Sequence, residues 1–280
     1  MNPRELRKIW KEHGFRPSKR LGQNFLIDKN IRDNILKIVS AGRNDTIVEI
    51  GPGFGMMSFE LAAMCKKLYA IEKDRKVFAI MEPFFREKGN IELIEGDILK
   101  TDLAVFSKDS QKITVFGNIP YNITTPIIQK IIETRHCIKK AVLLVQDEFA
   151  IRMAASPGSK NYSSISCYIQ FYTDIKKFFK VGKNAFYPSP DIDSSPISLE
   201  ILSEPSVKVR DEILMFRIIR KAFSQRRKKA VNPLSHGENM NIERDEWIGI
   251  FEKCGLDPGL RAEDITLAEY ARLSDVVGAR

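Results

Sequence analysis

The chain has 280 residues, 43% of them hydrophobic and 29% charged, proportions that fit a globular protein with a buried core. Its 45 Lys and Arg against 36 Asp and Glu give a net charge of +9, which favours a polyanionic partner, although composition alone leaves open a protein that is merely basic. No run approaches the roughly 20 apolar residues of a membrane span, the charged N-terminus lacks the apolar core of a signal peptide, and the four cysteines are scattered. We therefore expect a cytoplasmic protein with no membrane contact, no disulfides and no metal site.

The first 200 residues begin with a basic segment and continue with alternating strand and helix patterns. Seven Arg or Lys occur in the first twenty residues, so we expect this segment to contact nucleic acid and its first residues to be disordered. The predicted strands are Thr46–Ile50, Lys67–Glu72, Ile91–Glu95, Lys112–Gly117 and Ala141–Gln146, and the predicted helices are Ser58–Cys65, Arg75–Glu87, Pro126–Thr134 and Glu148–Ala155. This alternation predicts βαβ units and an α/β fold of the Rossmann-like kind, with a mostly parallel sheet.

The pattern changes after residue 160. The runs Ser163–Phe171 and Asp174–Val181 are separated by too few residues for a helical crossover, so we expect them to pair antiparallel at one edge of the sheet. A loop over residues 186–196 and one more apolar run, Ile197–Leu202, precede a helical remainder. That remainder comprises Val209–Lys229, Ile242–Cys254 ending at Gly255, and a helix capped by Thr266 with Glu269. We therefore predict an α/β domain over 1–204 and a small helical domain over 205–280.

A glycine-rich turn follows the first strand. Gly51, Gly53 and Gly55 let the backbone turn sharply and approach a ligand, and Glu72 ends the next strand, where a carboxylate accepts hydrogen bonds from ribose hydroxyls. Asp97 and Ile98 follow the third strand, where the carboxylate can accept from an adenine amino group. Because ligands of open α/β sheets bind at the carboxyl ends of strands, a nucleoside site is favoured over a purely structural glycine turn. The GxGxG spacing favours S-adenosylmethionine (SAM) over a nicotinamide cofactor.

The segment after the fourth strand carries the chemistry. The adenine amine is a poor nucleophile because its lone pair is delocalised into the ring, so a catalyst needs acceptors for its two hydrogens. Asn118 Oδ1 and the carbonyl of Ile119 or Pro120 are suited to this task, and Pro120 stiffens the turn. Tyr121 offers a ring on which an extruded base stacks, an interaction worth roughly 1–3 kcal/mol. A turn with a buried tyrosine is the alternative interpretation.

A basic surface is predicted near the C-terminal third. Arg217, Arg220 and Lys221 share one helix face, and a further basic run, Arg226, Arg227 and Lys228 with Lys229, extends it. We interpret these residues as the wall of an RNA groove between the two domains. A solvated helix face is the alternative.

These segments together resemble the bacterial small-subunit (16S) rRNA adenine N6,N6-dimethyltransferases, over residues 16–273. The resemblance is carried by Lys19-Arg-Leu-Gly-Gln-Asn-Phe-Leu26, the glycine turn, Glu72, Asp97, Asn118-Ile-Pro-Tyr121, Val145-Gln-Asp-Glu-Phe-Ala-Ile-Arg152, Ala185-Phe-Tyr-Pro188, Ala222-Phe-Ser-Gln-Arg-Arg-Lys228 and Arg261-Ala-Glu263. It implies that Asn24 and Leu26 join Gly51, Glu72, Asp97 and Asn118 in holding SAM, and that Phe186 stacks on the target base opposite Tyr121.

The resemblance also implies the substrate and the partners. The family dimethylates two adjacent adenosines in a hairpin loop near the 3′ end of small-subunit rRNA, within the immature 30S subunit, and we expect a monomer. This chain departs from the family pattern at Ile119, at Lys183-Asn184, and at Asp147 and Asp191, which replace lysines. Three alternatives stay open: a large-subunit rRNA methyltransferase, an assembly factor that mainly binds the subunit, and a nicotinamide-dependent oxidoreductase.

Overall fold

Apolar runs rich in β-branched residues form a seven-stranded sheet in the computed structural model, which describes residues 3–107, 111–235 and 242–280. Its strands are β2 (Thr46–Ile50), β3 (Lys67–Glu72), β4 (Ile91–Glu95), β5 (Ile113–Asn118), β6 (Ile138–Gln146), β7 (Thr173–Lys177) and β9 (Ser194–Ile201), and a separate pair joins β1 (Phe25–Leu26) to β8 (Phe186–Tyr187). The order is β4-β3-β2-β5-β6-β9-β7. The five neighbouring strands β4, β3, β2, β5 and β6 are parallel to one another, and β9 runs antiparallel to β6.

The order of the strands fixes where a ligand can bind. The chain passes outward from β2 through β3 to β4, then returns to the other side of β2 and continues through β5 to β6. Crossovers therefore leave β2 and β5 in opposite directions, and a crevice opens at their carboxyl ends. Gly51 directly follows β2 and Asn118 is the last residue of β5, so the two residues lie on the two sides of this crevice.

Two compact units divide the chain, one comprising residues 1–150 with 176–201 and the other residues 151–175 with 202–280. The helices are α1 (Pro3–Glu12), α2 (Lys29–Val39), α3 (Ser58–Met64), α4 (Arg75–Arg86), α5 (Thr124–Glu133), α6 (Asp147–Met153), α7 (Ser164–Tyr172), α8 (Glu212–Ala222), α9 (Val231–Ser235), α10 (Arg244–Lys253) and α11 (Leu267–Gly278). Two predicted helix termini are confirmed. Helix α10 stops before Gly255, which has φ +70°, and α11 starts after Thr266, which forms the capping box with Glu269. In the described ranges no helix is long and apolar enough to cross a membrane, and no group of three His, Cys, Asp or Glu is placed to hold a metal.

The N-terminal segment is ordered where we expected disorder. Residues 3–12 form α1, and residues 1 and 2 lie outside the described part of the chain. Leu6 and Trp10, one helical turn apart, are buried in the core of the first unit, and the Trp10 ring contacts those of Phe15, Phe25 and Phe54. For residues 3–12 the prediction of disorder was wrong, because the many basic residues of α1 lower its average hydrophobicity although one face of the helix is apolar.

The predicted strand Ser163–Phe171 is a helix. Ser163 and Ser166 form a reciprocal capping box at the start of α7, and the amide of Gln170 donates to the carbonyls of Met153 and Ala155. A short apolar run fits a strand and a buried helix equally well by period, and here the serine cap decides. The following run does form β7, which lies beside β9.

The long predicted helix Val209–Lys229 is shorter than expected. Helix α8 covers Glu212–Ala222, and one 3₁₀ turn, Phe223–Gln225, follows it. Ser224 donates its hydroxyl to the Lys221 carbonyl, which the helix would otherwise use. The basic run 226–229 therefore lies in a turn and does not extend the face formed by Arg217, Arg220 and Lys221.

Candidate active site

The glycine turn adopts a backbone that other residues resist. Gly51, Gly53 and Gly55 have φ of +63°, +55° and +73° between the end of β2 and the start of α3. A Cβ on Gly53 would lie 2.6 Å from the ring of Phe25. The turn therefore needs glycine both for its dihedral angles and for the close approach of β1.

Glu72 fastens this turn to the end of β3. Its Oε2 accepts the amide hydrogen of Gly53 at 3.1 Å, and its Oε1 accepts that of Asp74 at 2.7 Å. The side chain is buried, and burial raises the pKa of Glu72 above its ordinary value. Each carboxylate oxygen has a second lone pair, so Glu72 can hold the turn and accept a ribose hydroxyl together.

Asp97 is paired with a lysine that the sequence did not single out. Its Oδ2 lies 2.8 Å from Lys73 Nζ, and its Oδ1 accepts the amide hydrogen of Leu99 at 3.1 Å. Although burial acts in the opposite direction, these two donors lower the pKa of Asp97 below its ordinary value. Asp97 is therefore a carboxylate at neutral pH, as an acceptor for an amino group must be.

Asn118 is oriented by a backbone carbonyl. Its Nδ2 donates to the carbonyl oxygen of Asn24 at 2.8 Å, and this contact joins residues 94 positions apart in the chain. Because the amide nitrogen is engaged, Oδ1 is the part of the side chain left to accept from a substrate amine. The carbonyl of Pro120 already accepts from the amide of Ile123 at 3.1 Å, so the Ile119 carbonyl is the better second acceptor.

These groups share one cleft that is partly open to solvent and, like most small-molecule sites, is concave and lined by both apolar and polar groups. Its lining contains the following predicted site residues: Asn24, Gly51, Gly53, Glu72, Asp97, Ile98, Asn118 and Pro120. The two carboxylates, the glycine turn and the apolar wall of Ile50 and Ile71 fit the ribose, amino group and adenine of SAM. On this chemistry the residues fit the cofactor.

Three of the predicted cofactor-binding and catalytic residues do not line the cleft, namely Leu26, Tyr121 and Phe186. Leu26 and Phe186 are paired across β1 and β8, and both side chains are only 3% exposed in the core. A cofactor contact by Leu26 would therefore come from its backbone. A base can reach the Phe186 ring only if the segment that carries it moves, so both assignments stay predictions.

Tyr121 borders a second, smaller cavity beside the cleft. Gly22, Asn24, Asn118 and Pro120 also line this cavity, so Asn24, Asn118 and Pro120 face both spaces. The Tyr121 hydroxyl lies 2.7 Å from Ser194 Oγ, and burial raises the pKa of the phenol above its ordinary value. Tyr121 is protonated at neutral pH, as a phenol of ordinary pKa also is, and it shares a hydrogen bond with Ser194.

The basic residues of the second unit fall into two groups. Arg217, Arg220, Arg227 and Lys228 are exposed, and Lys221 is half-buried. Arg226 is engaged locally, because its guanidinium donates to the carbonyls of Lys160 and Tyr162. The first group is free to contact a polyanion, whereas Arg226 also holds the chain near residue 160.

The cleft lining also contains residues that the sequence analysis did not assign. Those with polar or charged side chains are Arg20, Gln23, Lys73, Asp74 and Asn122. Arg20 and Gln23 stand within the quoted motif that ends at Leu26, and Lys73 and Asp74 follow Glu72 directly, so closeness to assigned residues was a usable signal.

With this geometry established, comparison with known proteins identifies the family. The family described as "Ribosomal RNA adenine dimethylase" matches residues 14–276. The chain belongs to this family. It is therefore a SAM-dependent methyltransferase that acts on adenine in ribosomal RNA, and the predicted activity and cofactor are confirmed.

Relatives and solved structures agree with this assignment. A protein from Pelotomaculum thermopropionicum named "Ribosomal RNA small subunit methyltransferase A" is 35% identical over 283 residues, covering 98% of this chain and 96% of the relative. The crystal structure of a dimethyladenosine transferase from Plasmodium falciparum superposes with a TM-score of 0.77 at 25% identity, covering 89% of this chain and 95% of that one. The 23S rRNA methyltransferase ErmE shares the fold, with a TM-score of 0.69 at 20% identity over 91% of this chain and all of that one. The predicted Rossmann-like methyltransferase fold is confirmed.

Proposed function

We propose that this rRNA adenine dimethylase methylates N6 of two adjacent adenosines, twice each, in the 3′-terminal hairpin loop of small-subunit rRNA. Its substrate is the immature 30S subunit, which it meets in the cytoplasm as a monomer. The observation that carries the chemistry is the bond from Asn118 Nδ2 to the Asn24 carbonyl, which leaves Oδ1 to accept from an amine at the edge of the cleft. The small-subunit assignment is supported by a relative of that name that matches nearly the whole chain.

The residues of the chain position and polarise the target amine. Bound SAM supplies an electrophilic methyl group. Asn118 Oδ1 and the Ile119 carbonyl accept the two amine hydrogens, which localises the lone pair on the nitrogen and fixes the orientation of the amine. Pro120, with φ −55°, holds the turn that presents these acceptors. Alignment of this kind can supply several kcal/mol of a barrier, about 7–11 in the best intramolecular cases. The amine becomes acidic once it is alkylated and releases its proton to solvent, so no strong base is needed.

Two carboxylates at the ends of neighbouring strands are assigned to cofactor binding. Glu72 accepts ribose hydroxyls while it fixes the glycine turn through Gly53, and Asp97 accepts from the cofactor's adenine amino group beside Ile98. These assignments are supported by the positions of both carboxylates in the cleft lining. Removal of either carboxylate is expected to weaken SAM binding before it alters the chemical step.

Contact with RNA is assigned to the exposed cations of the second unit. Reversing Arg227 and Lys228 to Glu should weaken RNA binding and reduce its dependence on salt, because fewer phosphates are neutralised. SAM affinity should not change, since both residues lie in the other unit from the cleft. Arg226 is a poorer test than the two positions after it, because its loss would also release the carbonyls of Lys160 and Tyr162. RNA affinity equal to wild type would remove this surface from the proposal.

Single-turnover methyl transfer to immature small subunits tests the activity. Asn118→Ala should lose at least about a hundredfold in rate, since an oriented acceptor in an active site is typically worth that much. Asn34→Ala, on the exposed face of α2, is the matched control and should transfer at the wild-type rate. Negligible transfer by wild type and Asn118→Ala together would favour an assembly factor that only binds. Label appearing in large-subunit RNA would favour the large-subunit alternative.

A further inference from the structure

Ser194, the first residue of β9, contacts the ring predicted to receive the target base. Its Oγ lies 2.7 Å from the Tyr121 hydroxyl, and its side chain is fully buried. Tyr121 is thus held at both ends, by its own backbone and by its hydroxyl. A side chain held in this way keeps a fixed direction for the axis of its ring.

The backbone of Ser194 joins this contact to the segment that carries Phe186. Ser194 and Val181 exchange two backbone hydrogen bonds, of 2.8 and 3.0 Å. The preceding residue, Asp193, accepts the amide hydrogen of Lys183 at 3.0 Å and pairs with Lys180 at 2.8 Å, so it caps the 3₁₀ turn before Phe186. One dipeptide therefore connects the turn after β5 to the segment leading into β8.

The next residue, Ser195, performs a different task on the other face of β9. Its hydroxyl donates to Asp147 Oδ1 at 2.6 Å, and Lys177 pairs with the same carboxylate at 2.9 Å. The negative charge of Asp147, which replaces a lysine of the family pattern, is thus compensated locally. Ser195 is equally buried, but its hydroxyl bonds to Asp147 and not to Tyr121, so it is a matched control for the loss of a hydroxyl at this strand.

We propose that Ser194 is a positioning residue of the methyl transfer, which fixes the ring axis of Tyr121 and thereby the pose of the stacked adenine beside Asn118. This rests on the proposed function, because the base must enter beside Tyr121. Ser194 lines neither the cleft nor the smaller cavity, so it acts through Tyr121. Its effect should therefore appear in the rate at saturating RNA, and not in SAM affinity.

The test is a double-mutant cycle measured as single-turnover rate on saturating immature small subunits. Ser194→Ala and Tyr121→Phe each remove the same hydrogen bond, from opposite sides, and each should lower the rate about tenfold, short of the roughly hundredfold effect of a 1 Å misplacement. The double variant should lose no more than either single variant. Ser195→Ala should lower the melting temperature comparably while leaving the rate at saturation near wild type.

Two results would overturn the proposal. One is a double variant whose loss is the product of the single losses, about a hundredfold, which would show that the two hydroxyls act independently. The other is a wild-type rate in Ser194→Ala. Should Ser194→Ala fail to fold, Tyr121→Phe still decides, because it removes the bond and leaves the serine in place, and an unchanged rate there would overturn the proposal. Absence of transfer by wild type would instead refute the proposed function.

Discussion

Gly22 offers a test of whether the turn after β5 must be held in place for catalysis. Its φ is +62°, and a Cβ at this position would lie 2.9 Å from Pro120 Cβ and 3.4 Å from Pro120 Cα. Gly22→Ala therefore introduces two perturbations. The alanine must adopt a left-handed backbone, and its methyl group must displace the turn that presents the Asn118 and Ile119 oxygens.

The size of each perturbation follows from the geometry. A left-handed alanine costs about 1–2 kcal/mol of stability. Carbon atoms pack at about 3.5–4.0 Å, so a contact of 2.9 Å must open by roughly 0.6–1.1 Å. A shift near 1 Å at the acceptors can cost about a hundredfold in rate, and we therefore expect Gly22→Ala to lose between about tenfold and a hundredfold.

Gly14→Ala separates the two effects. Gly14 has φ +57°, and nothing lies within 4 Å of a Cβ built there, so this variant carries the backbone cost without the contact. Both variants should lower the melting temperature, and only Gly22→Ala should slow single-turnover methyl transfer at saturating SAM and RNA. Equal rates in the two variants would show that the approach of Gly22 to Pro120 does not position the acceptors.

Three further predictions concern stability and the cofactor. Burial, with the nearby Glu72 charge, raises the pKa of Glu49 from 4.5 to about 8, so the stability of the fold decreases as the pH rises between these values. Glu49→Gln should therefore raise the melting temperature more at pH 8 than at pH 5. An equal rise at the two pH values would contradict this. Lys73→Met removes the cation beside Asp97 and should raise the pKa of that carboxyl. As the pH is lowered, SAM affinity measured by calorimetry should therefore begin to fall at a higher pH in the variant than in wild type. Identical curves of affinity against pH would exclude a role for the Lys73–Asp97 pair. Trp10→Ala removes a buried side chain and should lower the free energy of unfolding, measured in urea, by about 3–5 kcal/mol. The control Lys8→Ala, on the exposed face of α1, should change that free energy by less than about 0.5 kcal/mol.

The central sheet was predictable because its signals are local. The bounds of β2, β3 and β4 agree with the structure residue for residue, since each is a short apolar run followed by a polar or glycine turn. Helix α7 was missed because its nine residues contain too few turns for a period to separate helix from strand. The sequence analysis did not predict that α1 is an ordered helix, because an amphipathic helix with many basic residues has a low average hydrophobicity.

The site was predictable only where it lies at strand ends. Glu72, Asp97 and Asn118 each end or follow a parallel strand, so topology alone brings them to one edge. The pairing of Lys73 with Asp97 and the bond from Tyr121 to Ser194 join groups 24 and 73 residues apart. Such contacts depend on how loops fold over the sheet, and no spacing in the sequence encodes them.

Mapping of dimethyladenosine in rRNA is the sharpest test of the proposed reaction. Immature small subunits from a strain lacking this protein would be incubated with the purified chain and SAM, and the RNA fragments analysed by mass spectrometry. We expect two adjacent N6,N6-dimethyladenosines in the 3′-terminal hairpin loop, absent before treatment and absent with Asn118→Ala. Methylation at any other nucleotide, or in large-subunit RNA alone, would contradict it.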